Sequence, residues 1–431
     1  MFRSLRHRNY RLYFTGSIFS NTGTWMQRIA QDWLVLELTD QDPLALGMVT
    51  FLQFVPTLLL GMYGGVLADR LHKRSILRVT QFVVALSAAA LGALILGEVV
   101  ALWHVYVMAL CLGCANAIEA PSRTAFASEL VPSEDVVNAV GLNSTSFNSA
   151  RLIGPALAGV LIGWIGIGPV FLINAVSSLW IIMLLTMIDA SKLYDTHRSE
   201  REPGQIRAAL RYVRSRPDLT IMIALATAVS LFGLNLQVLI PLVSTHVFHQ
   251  GAAEYGLLAS SLALGTLTGA LLSARRSSRP RLRGLIAAAM LFGLAEVAIA
   301  WVNNYWVFAL MLVPTGMVSL AFLVSANATV QLSVDARTRG RVMALYFMAL
   351  MGAGAFGSPL VGWMTDLWGI QMALAICGAL TALSAVVAGA ILIHREGGMQ
   401  IQTSRTRPRL QVRIGDETMI PYRREPMEEV T

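Results

Sequence analysis

The sequence predicts an all-α membrane protein, twelve transmembrane helices arranged as two pseudo-symmetric halves of six. Three observations carry this. Of 431 residues, 55% are hydrophobic and 13% charged, where a soluble domain averages about 25% charged residues. With a mean hydropathy of +0.60, the chain cannot cover itself with polar surface, so its solvent is lipid. Apolar runs long enough to cross roughly 30 Å of hydrocarbon recur twelve times. Basic residues gather in alternate connections between those runs. Helices are the expected spanning element because they satisfy every backbone polar group internally.

Span 1, at about 11–36, carries Ser17, Asn21, Thr24, Arg28 and Asp32. Steps of three and four place these on one face, a polar stripe on an otherwise apolar helix. Such a stripe calls for water or polar neighbours inside the bundle. Span 2 covers about 45–68, and a short basic loop joins it to span 3 at 75–98. Span 4, at 102–126, holds Glu119 and Arg123 one turn apart, close enough to pair. Span 5, at 139–163, has a shorter stripe, Ser144, Asn148 and Arg151, beside the helix-bending pair Gly154-Pro155. Span 6 covers 167–188, completing an N-terminal half of residues 1–188.

A charged connector, 189–217, contains Pro203-Gly204. The C-terminal half, 218–393, has spans at 218–243, 254–274, 284–301, 305–331, 341–365 and 369–393. Glu296 in span 9 is read as structural or interfacial. The tail, 394–431, mixes both charges with three prolines and is expected to be disordered.

Of the 33 Lys and Arg residues, all but Arg28 and Arg151 fall on one side if the N-terminus is inside. Both termini are then cytoplasmic. The net charge of +8 reports topology and a basic surface against anionic lipid, not nucleic-acid binding. No cleavable signal is expected, since the run after the basic first eleven residues lacks a small-residue cleavage site. Cys111, Cys114 and Cys377 lie within spans, without a second ligand pair for a metal, and read as packing residues. His246 and His249 bracket an outer loop. No catalytic constellation, cofactor motif or nucleotide-binding loop is present, so neither an enzyme nor an ATP-driven pump is expected.

The two halves repeat. Shifted by 203 residues, Val131 falls on Val334, Leu142 on Leu345, Ala150 on Ala353, Gly154 on Gly357, Gly159 on Gly362 and Gly166 on Gly369. Two parallel six-helix repeats are the architecture of transporters whose halves rock about a central site.

The loop GVLADRLHKRSIL, 65–77, resembles the cytoplasmic loop motif of the major facilitator superfamily through Gly65, Asp69, Arg70, Lys73 and Arg74. The resemblance implies a latch, with Asp69 facing a helix N-terminus and Glu129, at the end of span 4, as an acidic partner. From Gly141 the pattern Gly141, Ala150, Gly154, Pro155, Ala158, Gly159 is similar to the antiporter motif of the superfamily's proton-coupled exporters, with alanine at two glycine positions. Small residues at this spacing let neighbouring helices approach closely. TWMQRIAQDWLVLELT at 24–39, ANAIEAPSRTAFASELV at 115–131, the stretch 138–162 and 339–362 resemble the enterobactin-exporter-like branch. The mid-helix 4 arginine of many drug–proton antiporters is Ala109 here, leaving Arg151 or Arg28 as its replacement.

The resemblance implies a major facilitator fold and a monomeric, proton-driven exporter, in the inner membrane of a bacterium, of amphipathic small molecules such as drugs, siderophores or other metabolites. An importer or lysolipid flippase of the same fold is the first alternative; a non-transporting membrane sensor is the second. The proton-coupling or cavity-charge candidates are Asp32, Arg28, Glu119, Arg123 and Arg151, with Asp32 the preferred proton carrier. Ser17, Asn21, Thr24 and Asn148 are expected to line the cavity. Mid-span charges are costly and normally face a cavity or a partner, so Arg151 is expected to pair with Glu119.

Overall fold

The computed structural model describes residues 3–194, 205–274, 282–395, 399–403 and 410–414. The N-terminal half contains α1 (Arg8–Leu38), α2 (Pro43–Arg70), α3 (Lys73–Leu96), α4 (Leu102–Glu129), α5 (Val136–Ile165) and α6 (Ile167–Thr186). The connector carries α7 (Gln205–Ser215). Span 7 is one run, Pro217–Val247, broken into α8 (Pro217–Phe232), a 3-10 turn at Gly233–Asn235, α9 (Leu236–Leu242) and a π turn at Val243–Val247. Spans 8 to 12 are α10 (Ala252–Ala274), α11 (Leu282–Ala300), α12 (Tyr305–Leu332), α13 (Ala336–Trp368) and α14 (Ile370–Arg395). Eleven spans among the described residues are long and apolar enough to cross a membrane. The twelfth, α1, is equally long, but its polar stripe lowers its hydropathy.

Several helices run past the ends of the apolar windows; α1 extends from Arg8 to Leu38 and α13 from Ala336 to Trp368. Hydropathy marks the segment that lipid covers, whereas the backbone ladder continues while its hydrogen bonds remain satisfied. The tail, read as disordered, contains two antiparallel strands, Met399–Thr403 and Leu410–Ile414, with Met399 opposite Ile414.

The halves pack by one scheme. In the first, α2 lies on α4, α3 on α6, and α1 on α5 and α6. In the second, α10 lies on α12, α11 on α14, and α8 on α13 and α14. Gly166 and Gly369, paired by the repeat, take φ of 82° and 79° in the tight turns after α5 and α13. A side chain there would be strained, so glycine is required at both.

One face of the bundle, where α1 begins and α6 ends, is basic. The N-terminus is fastened there: Ser4 N donates to Asn138 Oδ1 at 3.0 Å, and His7 Nε2 lies 3.0 Å from Asp135 Oδ2. Tyr10 and Tyr13 are fully buried among Phe126, Leu130 and Leu185. The halves meet in the part of the bundle away from this face, through α2 on α13 and α5 on α10. A Cβ at Gly47 would lie 2.6 Å from the Ser358 carbonyl oxygen, and one at Gly159 would lie 2.6 Å from that of Ala252. Phe51 and Phe356 close the same region with ring centroids 5.4 Å apart. The space between the halves is therefore closed by these contacts on the side away from the basic face.

Candidate functional site

Between the halves lies a small cavity of about 60 Å³, open in part to solvent. α1 contributes Trp25, Arg28 and Asp32; α2 contributes Thr50 and Gln53; α5 contributes Arg151. From the other half come Gln237 of α9 and Tyr255 of α10. Each polar group stands on a helix whose remaining surface is apolar, so the bundle holds it rigidly.

Asp32 bridges the halves. Tyr255 OH donates to Asp32 Oδ2 at 2.7 Å, while the Tyr255 ring stacks on Trp33 of α1, centroids 6.5 Å apart at 20°. Arg28, one turn before Asp32, lies over Trp25 with Cζ 4.9 Å from the ring centroid and 5.6 Å from that of Phe54. Arg151 reaches the same indole, its Cζ 5.6 Å from the Trp25 centroid. The charge of the cavity wall is thus two guanidiniums and one carboxyl group.

Arg151 faces the cavity, but its expected pair with Glu119 is not formed. Glu119 is taken by Arg123 on its own helix and accepts from Gln81 Nε2 at 2.8 Å. Arg123 also donates to Asn21, whose Nδ2 donates to Ser146 Oγ at 3.2 Å. Ser20 Oγ completes the network on Gln81 at 3.0 Å. This cluster fastens α1, α3, α4 and α5 inside the N-terminal half, and Glu119 is 4% exposed. An i,i+4 partner on the same helix reaches Glu119 without any rearrangement between helices.

The polar stripe of α1 consequently divides. Ser17 and Asn21 are buried inside the N-terminal half, and Thr24 donates to the Ser20 carbonyl at 2.9 Å. Asn148 bonds the Ser144 carbonyl at 2.8 Å. Among the described residues, none of these four lines the cavity, contrary to expectation. Ser17, Asn21 and Thr24 share a face of α1 with Arg28 and Asp32, but α3, α4 and α5 cover that face near the basic end and α10 covers it farther along. Periodicity reports the face and not its cover.

The antiporter-like motif also divides. A Cβ at Gly154 would lie 2.6 Å from Trp25 Cβ, so Gly154 admits α1 and brings the indole to the cavity. Ala150, Pro155 and Ala158 are buried, and Gly159 admits α10. A Cβ at Gly141 would meet nothing within 4 Å, so this position makes no close approach.

At the loop between α2 and α3, Lys73 pairs with Glu129. Arg74 caps the end of α6, with Nε 2.6 Å from the Leu185 carbonyl and a terminal nitrogen 2.7 Å from that of Thr186. Gly65 lies in the last turns of α2, and Arg70 ends it, exposed. The Asp69 side chain lies outside the described residues. Glu296 is fully buried on α11, and among the described residues neither of its oxygens has a hydrogen-bond partner. It faces the break in span 7, where a Cβ at Gly233 would lie 3.2 Å from Oε2.

Tyr255, Trp25 and Gln81 were not legible as site residues. Gln53 and Gln237, isolated amides in apolar runs, carried a usable signal. Tyr255, at the start of α10, could not be told from an interfacial aromatic.

Over residues 1–416 the chain matches the family described as transmembrane secretion effector. It is 24% identical to the staphyloferrin A transporter of Staphylococcus aureus, over 86% of this chain and 92% of that protein. It is 27% identical to the multidrug efflux pump Tap of Mycobacterium tuberculosis, over 87% and 92%. In fold it is similar to a bacterial homolog of the human lysosomal transporter Spinster in an inward-facing, occupied conformation, with a TM-score of 0.69, 14% identity, and 89% and 96% of the two chains covered. The chain belongs to the transmembrane secretion effector family of the major facilitator superfamily, and it is a multi-pass membrane transporter.

Proposed function

We propose that this transporter is a proton-driven exporter of amphipathic small molecules, working by alternating access with its basic face in the cytoplasm. The observation that carries the reading is the hydrogen bond from Tyr255 to Asp32, which joins the halves at the cavity wall. An ionised Asp32 accepts it as a charge-assisted bond and holds the far face shut. The empty, deprotonated carrier is thereby locked and does not leak. Protonation weakens the acceptor, and a substrate that competes for the neighbouring groups does the same. Either event frees the halves to exchange, which is the requirement for coupling opposite fluxes.

Three further facts support this. The contacts that hold the halves together lie away from the basic face, as in a carrier that loads from that face. The positive-inside distribution supports a cytoplasmic position for that face. The relatives include a multidrug efflux pump and a siderophore transporter.

The test is dye accumulation in everted vesicles with an imposed pH gradient. Asp32→Asn should abolish gradient-driven uptake while retaining dye binding, since asparagine keeps the shape and an acceptor but carries no proton. Undiminished gradient-driven transport by that variant would remove Asp32 from the mechanism.

A further inference from the structure

Arg28 and Arg151 are placed unlike the other buried arginine. Arg123 is neutralised by Glu119 and bonded to Asn21. Arg28 and Arg151 instead both lie over one indole, Trp25, with Phe54 also beside Arg28. A cation–π contact holds a guanidinium yet spends none of its five N–H donors. The nearby acid, Asp32, already accepts from Tyr255 with one oxygen. Among the described residues, no ion pair within 4.0 Å engages either guanidinium.

Two cations facing one membrane-embedded cavity repel each other and are expensive to desolvate. A helix bundle keeps such a pair where a ligand supplies the missing negative charge. We propose that the cavity binds an amphipathic organic oxyanion, its acidic group seated between Arg28 and Arg151 at the edge of Trp25 and its apolar body against the α9–α10 wall. This rests on the cavity being the substrate site. The fork of a guanidinium matches carboxylate and phosphate oxygens two at a time, and the opposing wall offers Ile240, Ala259 and Leu262.

The test uses three probes with one aromatic body and different heads: 1-naphthylacetate, 1-naphthyl phosphate and 1-naphthylmethylammonium. Each is titrated calorimetrically against the full chain in detergent. At least one oxyanion should bind ten times or more tightly than the ammonium probe. The preferred head separates carboxylate from phosphate, the latter being the head group of a lysophospholipid. Arg28→Gln and Arg151→Gln should each weaken oxyanion binding about tenfold and not weaken ammonium binding. Two separate substitutions guard against one that does not fold, and monodispersity on size exclusion shows which variants are competent. Equal or tighter binding of the ammonium probe, or wild-type oxyanion affinity in both folded variants, overturns the assignment. That failure is distinct from failure of the export reading, which is decided by gradient-driven dye transport in Asp32→Asn.

Discussion

Removing one hydroxyl should unlock the far face of the bundle. In Tyr255→Phe the ring keeps its stack on Trp33, so the change isolates the 2.7 Å bond to Asp32. A hydrogen bond to a charged group contributes about 1.5–3 kcal/mol. Because roughly 1.4 kcal/mol is a factor of ten, the equilibrium constant favouring the closed far face should fall about 10- to 150-fold. If the wild type favours closure by roughly 100 to 1, the variant would populate both arrangements comparably. Spin labels at Leu44 and Leu367, exposed near the far ends of α2 and α13, report the separation by double electron–electron resonance. The expected result is a second, longer distance population in Tyr255→Phe. Asp32→Asn should lie between wild type and this variant, since its amide oxygen still accepts a neutral bond. Combining the two should add less than the sum, because both remove one interaction. An unchanged distance distribution in Tyr255→Phe, with the closed face fully populated, would refute the lock and the coupling scheme built on it.

Two other substitutions probe the scaffold. Arg123→Ala leaves Glu119 buried and unpaired, and should lower stability by about 3–5 kcal/mol; adding Glu119→Gln should restore a large part of it, read by thermal unfolding in detergent. Gly233→Ala would place a Cβ 2.7 Å from Phe292 Cε1 and 2.9 Å from Thr381 Oγ1. Both neighbours are buried, so overpacking of about 1–3 kcal/mol is expected at the span 7 break, and a melting temperature equal to that of wild type would show that α11 and α14 yield freely there.

Arg151 illustrates how far a site can be read from one chain. A charge in an apolar helix had to face a cavity or a partner, and it faces the cavity. Its expected partner, Glu119, is held by Arg123 one turn away on the same helix, a pairing that helix geometry favours over one between helices. The Gly154-Pro155 pair beside Arg151 has a local reason that only packing reveals: Gly154 makes room for Trp25 of α1. That indole in turn holds Arg28 and Arg151.

Hydropathy, the position of basic residues and the internal repeat were sufficient for twelve spans in two related halves. They act locally or along the chain: an apolar run must lie in lipid, and repeated glycines such as Gly166 and Gly369 mark one turn used twice. They were also sufficient to single out Arg28, Asp32 and Arg151, because a charge inside a span is too costly to be incidental. Which of these groups meet was decided only by tertiary structure. A helix presents a whole face along its length, and its neighbours change along that length, so Ser17 and Asn21 are sealed inside one half while Asp32, on the same stripe, reaches Tyr255 in the other. Contacts between residues more than two hundred positions apart depend on how two bundles are set against each other, and no period within either helix encodes that.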